Sequence, residues 1–283
     1  MLCAPRAKPE RPPYAGRAGG YCGPVDLCSF GASALPLVTT AIHAGHELRP
    51  ELAARTALDD RTRRREEDPF TDRITAAGGT PVVVHRSRFE VDLNRRRDEA
   101  VYTTPDTCWG LDVWRAPLTD EQVERSLSFH DEFYADLSAH LDELARQGSF
   151  VVLDVHSYNH RRDGVDAPPA PRIDNPEINV GTGSLDRGRW GHVVDRFTED
   201  LGSHEVAGHR LDVRENVRFE GGHLSRWVHE RYDGVGCALA VELKKVFMDE
   251  WTGVPDDRQL QQLTEAFALS VPLVLGELAC GSV

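Results

Sequence analysis

Sulfur is scarce in this 283-residue chain, which has two methionines and six cysteines. Cys3, Cys22, Cys28, Cys108, Cys237 and Cys280 are scattered without Cys-x-x-Cys spacing. That excludes a zinc ribbon and argues against a disulfide framework in a chain this long, so reduced thiols are expected. Positive charge is also short. With 33 Lys+Arg against 46 Asp+Glu the formal net charge is −13, and neither a nucleic acid nor an anionic membrane surface is an expected partner. No uninterrupted apolar run reaches the ~18 residues of a membrane span, and MLCAPRAKPERPPYAGRAGG has no apolar core of the signal-peptide kind. A cytoplasmic protein is the expectation. No Pro/Gly/Ser linker divides the middle of the chain, so a single domain over residues 31–283 is predicted, behind a flexible Pro-, Gly- and Arg-rich arm over 1–30.

Several short apolar runs end in chemistry-bearing side chains. Phe150 to Leu153 reads as a buried strand that stops at Asp154-Val155-His156-Ser157. Ligands in open α/β sheets bind beyond the carboxyl ends of strands. Asp154 lies on the same strand face as His156, where a carboxylate can fix the imidazole tautomer and free the other nitrogen for a metal. The bland alternative is a hydrogen-bonded histidine at a strand end. Ala34 to Ile42 is a second strand and runs into His43-Ala44-Gly45-His46-Glu47, followed by a helical stretch from Glu51 to Leu58. Gly45 is expected to turn the backbone so that His43 and one of His46 or Glu47 face the same point. Zinc hydrolase sites use three protein ligands plus a water, so His156 would complete such a set. Cys237 to Lys245 is another strand, and Glu242 at its end is placed to act as general base for a bound water.

Thr80 to Val84 leads into a stretch with five arginines among 13 residues, His85 to Arg97. Arginine's planar fork matches a carboxylate bidentately, and Asn94 adds a neutral donor. A surface salt-bridge cluster with Glu90, Asp92 and Asp98 is the competing explanation. Arg61 to Asp68 (RTRRREED) reads as a solvated charge run. A long helix is predicted from Leu118 to Gln147, with Thr119 and Gln122 as a capping box, giving a β-α-β order suited to a parallel sheet. Residues 163–190 are Pro/Gly/Asp-rich and read as a functional lid or wall. A helix resumes over Trp190 to Leu201, and the chain closes with an amphipathic helix, Asp257 to Leu269, and an apolar tail, Val271 to Leu275.

The ordered stretches HAGHE, SRFEVDLNR, LDVHSYNHRR, ENVRFEGGHLSRW and ALAVELKKVFMDE resemble the N-formylglutamate amidohydrolase family over about residues 35–253. Asp92-Leu93-Asn94-Arg95 with Asp154-Val155-His156 also looks like the wider zinc carboxypeptidase and aspartoacylase superfamily. The resemblance implies an α/β fold with a mixed, mostly parallel sheet flanked by helices. It further implies one Zn²⁺ per chain on His43, Glu47 and His156, with Glu242 catalytic and Arg88 polarising the scissile carbonyl. Asn94 and Arg95 would hold the substrate's α-carboxylate, and Ser157 and Arg226 are assigned with them to substrate binding. His43 to Glu47 is one residue wider than the superfamily's His-x-x-Glu, so His46 is the alternative middle ligand, with Asp68 and Asp72 as rivals. The implied activity is hydrolysis of the amide of a small anionic N-acyl amino acid, N-formyl-L-glutamate first. The alternatives are a metallo-carboxypeptidase or amidase acting on a short peptide or biosynthetic intermediate, and a non-catalytic carboxylate-binding homologue.

Overall fold

The computed structural model describes residues 27–280. The expected arm therefore lies outside the described residues, except that its last part, Cys28–Phe30, is a short edge strand, β1. The chain continues through β2 (Leu37–Ala41), α1 (Pro50–Ala53), α2 (Asp60–Glu66), α3 (Thr71–Thr75), β3 (Thr80–Val84), α4 (Asp120–Gln147) and β4 (Phe150–Tyr158). Then follow β5 (Ile178–Gly181), α5 (Arg187–Ser203), a small ribbon of β6 (Glu205–Val206) and β7 (His209–Arg210), β8 (Val213–Glu215), α6 (His223–Arg231), β9 (Gly236–Lys244) and α7 (Asp257–Cys280). Seven strands form one sheet in the order β1-β3-β2-β4-β9-β5-β8. The pairs β3/β2, β2/β4, β4/β9 and β5/β8 are parallel, whereas β1 meets β3 and β5 meets β9 antiparallel. The sheet is thus mixed and mostly parallel, with helices on both faces, as the sequence reading expects.

Alternation along the central strands decides what each face carries. Val151, Leu153 and Val155 of β4, with Cys237, Leu239, Val241 and Leu243 of β9, pack on α5 and α7, where Phe197 meets Phe267 edge to face. The opposite face begins apolar, with Val38, Phe150, Val152 and Ala238 packed on Phe133, Leu137, Leu224 and Val228 of α4 and α6. Two residues further along the same row stand Thr40, Asp154 and Ala240, and beyond them His156 and Glu242. One face therefore changes from core to chemistry at the carboxyl ends of its strands.

The α4 capping box is present: Thr119 Oγ accepts from the Gln122 backbone, and the Gln122 side chain accepts from the Thr119 backbone. Such a cap contributes about 0.5–2 kcal/mol. Most boundaries shift by one to three residues, and four stretches depart further from expectation. β4 does not stop at Asp154 but runs to Tyr158, because β9 pairs with it residue for residue up to Tyr158 and Lys244. The first helix is only Pro50–Ala53, since the chain beyond it bridges Thr56 to Trp114. The 163–190 stretch contains β5 and the first turn of α5. α7 continues through Pro272 to Cys280 instead of ending near Leu269. Pro272 lies on the exposed side, where solvent can take the carbonyl that its missing N–H leaves free. By length and composition α7 is apolar enough to cross a membrane. Its stripe Leu260, Leu263, Phe267, Val271, Val274 and Leu278 is instead spent on the sheet-facing core.

Candidate metal centre and active site

β2 delivers His43 two residues past its end, and β4 delivers Asp154 and His156, with Thr40 Oγ1 donating to Asp154 Oδ1 at 2.6 Å across the β2/β4 register. The third component comes from the loop between α2 and α3. The Asp68 backbone N donates to the His43 carbonyl at 2.9 Å. The buried Lys245 ammonium holds the same loop by donating to the carbonyls of Arg65 (2.6 Å) and Glu67 (2.7 Å). Asp68 Oδ2 is thereby brought 3.3 Å from His43 Nδ1 and 3.1 Å from His156 Nδ1, and Ser157 Oγ donates to its Oδ1 at 3.1 Å. One ligand atom from each of His43, Asp68 and His156 lies within 4.8 Å of the others, and all three residues are buried.

The outer nitrogens of both imidazoles are taken. His43 Nε2 faces Asp92 Oδ1 at 2.7 Å, and His156 Nε2 faces Asp154 Oδ2 at 3.0 Å. With His43 Nε2 donating to Asp92, its Nδ1 lone pair points at the Asp68 oxygen, and His156 Nδ1 lies within hydrogen-bond distance of that same oxygen. The His43 Nδ1 atom is buried without a hydrogen bond. Three electron-pair donors facing one another need a cation between them, either protons or a metal. The pattern of an outer carboxylate fixing an imidazole is the one that metal-ligating histidines use. The residues present therefore fit a divalent cation with N,N,O ligation. The charge balance records the same convergence. Burial opposes ionisation of Asp68, yet contacts from His156 and His43 hold its pKa below the ordinary carboxylate range. Burial likewise disfavours charge on His156, but Asp154, Asp68 and Glu242 keep its pKa well above the ordinary imidazole value.

Of the candidates for the middle ligand, Asp68, the rival, joins the two histidines, whereas Glu47 and His46 do not. Glu47 and His46 stand elsewhere because the chain turns away after Ala44 to lie along the end of β3. There Glu47 N donates to the His85 carbonyl at 3.1 Å and Glu47 O accepts from Ser87 N at 2.8 Å. The His46 ring is occupied by Glu67 and Asp60, and Glu47 and Asp72 line a separate cavity. Gly45 serves close approach rather than a turn toward the site: a Cβ there would lie 2.2 Å from the His85 carbonyl carbon.

Glu242 is the direct cross-strand partner of His156. Burial, opposed by His156 and reinforced by Asp68 and Asp154, pushes its carboxyl up to about 7. It lines a cavity of about 150 Å³ with His43, Asp68, Asn94, His156 and Ser157.

A match to the N-formylglutamate amidohydrolase family spans residues 35–248. The chain belongs to that family. It is 26% identical over 264 residues to the N-formylglutamate deformylase of Pseudomonas aeruginosa (strain PAO1), covering 85% of this chain and 92% of the relative. The fold is that of the N-formylglutamate amidohydrolase crystal structure from Ralstonia eutropha JMP134 (TM-score 0.71, 17% identity, 90% of this chain and 98% of that one). A second solved structure, gene product Atu2144 of Agrobacterium tumefaciens, matches with TM-score 0.58 at 15% identity over 90% of this chain and 95% of its own.

In this family member the arginine-rich stretch divides. Arg96 pairs with Asp98, and Arg97 pairs with Glu124 and Asp131, as ordinary surface bridges. Arg88 and Arg95 instead turn inward to Asp92, at 2.8 and 3.6 Å. Arg88 lines the cavity, stacked over the half-exposed Trp109 at 4.8 Å. Arg95 is not among the lining residues, because its guanidinium stacks on Tyr102 at 4.7 Å. Arg226 is exposed and donates to the Gly221 carbonyl, away from the cavity. Asn94 stands at the cavity wall with Nδ2 3.3 Å from His156 Nε2, while its Oδ1 accepts from Leu224 N at the start of α6. None of residues 163–190 lines this cavity. The lining residues not anticipated from the sequence, Glu66, Trp109, Tyr158, Asn159, Arg162, Phe219 and Lys245, come from five separate segments with no shared spacing to mark them.

Proposed function

We propose that this chain hydrolyses the formyl amide of an N-formyl amino acid, N-formyl-L-glutamate first, with a zinc ion held by His43, Asp68 and His156. The observation that carries the reading is the meeting of three buried ligand atoms beside Glu242 at the carboxyl ends of adjacent parallel strands. The bound ion supplies Lewis acidity toward the scissile carbonyl and the attacking water.

Glu242 is the general base. A carboxyl near pH 7 can accept a proton from water and pass it on within one turnover. The water oxygen bonds to the formyl carbon as its proton moves to Glu242. The C–N bond then breaks as that proton moves to the leaving amine, giving formate and the free amino acid. Arg88 serves the developing oxyanion. Its Nε is buried without a partner, so one N–H remains to donate when charge appears, an interaction worth roughly 3–4 kcal/mol per donor in hydrolases. Asp92 and Asp154 fix the two imidazoles. Asn94 and Ser157 meet the amino-acid part of the substrate, while Arg95 acts through Asp92 and Tyr102 rather than on the substrate.

A screen over N-formyl, N-acetyl and N-succinyl amino acids, with and without chelator, tests this reading. Formate release from N-formyl-L-glutamate, abolished by chelator and restored by zinc, is expected. Full activity in strong chelator refutes it.

A further inference from the structure

Three basic side chains line the catalytic cavity: Arg88, Arg162 and Lys245. Two are committed. Arg88 donates to Asp92 at 2.8 Å. The Lys245 ammonium is spent on the carbonyls of Arg65 and Glu67. Arg162 is exposed at the mouth, and among the described residues no hydrogen bond or ion pair engages its guanidinium.

The backbone leading into Arg162 is nevertheless fixed. Glu250, whose side chain is fully buried, accepts from His160 N at 2.7 Å and Arg161 N at 3.0 Å. Trp251 Nε1 donates to the Arg161 carbonyl at 3.1 Å. The sequence stretches NHRR and FMDEWTG, for which the chemistry gives no other role, thus join to hold one unpaired cation at the rim. Glu66, another acid in the lining, is already paired with Arg65 at 2.6 Å.

We propose that Arg162 is a specificity-determining residue that binds the side-chain carboxylate of an acidic N-acyl amino acid. The inference rests on the amide-hydrolase reading above. The reacting amide must lie against His43, Asp68, His156 and Glu242, so a group at the mouth meets the part of the substrate farthest from that amide. In an acidic amino acid that part is the side-chain carboxylate, which lies further along than the α-carboxylate. A guanidinium receives a carboxylate through two parallel N–H donors. Trp109 and Phe219 in the same wall limit how much water competes.

The test compares the zinc-loaded wild type with Arg162→Ala and Arg162→Lys. Formate release is measured from N-formyl-L-glutamate and from its near-isostere N-formyl-L-glutamine, and L-glutamate binding is measured by calorimetry. In Arg162→Ala, kcat/KM for N-formyl-L-glutamate should fall roughly 10- to 100-fold, mainly through KM, while N-formyl-L-glutamine changes by less than about threefold. Arg162→Lys should fall between, because it keeps the charge and loses the fork. L-glutamate affinity should drop in parallel with unchanged zinc content. An acid-over-amide ratio in Arg162→Ala equal to the wild-type ratio overturns the proposal. If the wild type releases formate from neither substrate, the hydrolase reading fails and glutamate binding alone decides. Weaker binding in Arg162→Ala then upholds the carboxylate role, and equal or absent binding in the wild type and variant overturns it.

Discussion

Asp92→Asn isolates the buried carboxylate behind His43. In the wild type, Oδ1 accepts from His43 Nε2 at 2.7 Å and Asn94 N at 2.9 Å, and Oδ2 accepts from Arg88 at 2.8 Å and the Tyr102 hydroxyl. Asparagine keeps the shape but replaces one acceptor oxygen with an NH₂ donor. Whichever way the amide turns, that donor confronts other donors, and Arg88 loses its counter-charge where its side chain is only 14% exposed. Removing one partner of a buried ion pair costs about 3–5 kcal/mol. The lost hydrogen bonds belong to the same network and do not add separately. At about 2–4 °C per kcal/mol for a domain of this size, Tm should fall on the order of 10 °C. Losing the carboxylate that orients the imidazole should also weaken metal affinity by roughly 10- to 100-fold. Urea unfolding of the metal-free protein reads the first effect and competition with a zinc chelator reads the second. Tyr102→Phe provides a graded comparison, removing one donor for about 1.5–3 kcal/mol. Stability within about 1 kcal/mol of the wild type together with unchanged metal affinity would refute the role given to Asp92.

Other expectations follow from the same contacts. Glu242→Gln should retain metal but lower kcat by about 10²–10⁴, the range for a lost general base; steady-state kinetics with metal analysis checks both. Gly45→Ala forces a Cβ to 2.2 Å from the His85 backbone, so it should destabilise by about 1–3 kcal/mol through overpacking, read by urea unfolding. His223 is pushed down to about 4 by burial and by the neighbouring His130 and Arg226. Its folded-state pKa lies below the unfolded ~6.5, so between those values the unfolded chain binds the extra proton. Stability contributed by neutral His223 is full above ~6.5 and lost as pH falls toward 4. His223→Gln should flatten stability against pH across that window.

Much of the architecture can be read along the chain. Thr119 and Gln122 mark the start of α4, and the β-branched runs at Thr80 and Phe150 mark two central strands, because capping and short apolar runs are local signals. The end of β4 is not local: it depends on how far β9 runs alongside. The site divides in the same way. His43, His156 and Glu242 are legible because each sits just past or within an apolar run. Asp68 is no more than a rival on sequence because it sits in a charge run that reads as a solvated face, and long-range ties, among them those to His43, Ser157 and Lys245, fold that loop over the strand ends. Spacing near His43 pointed to His46 and Glu47, which the bridge beside β3 carries off in another direction.

The most direct measurement is metal content of the purified wild type beside Asp68→Ala, Glu47→Ala and His156→Ala. About one zinc per chain is expected in the wild type and in Glu47→Ala, and little in the other two, since a site with three protein ligands does not tolerate losing one. Asp68→Ala that keeps its metal, or Glu47→Ala that loses it, would contradict the His43–Asp68–His156 centre.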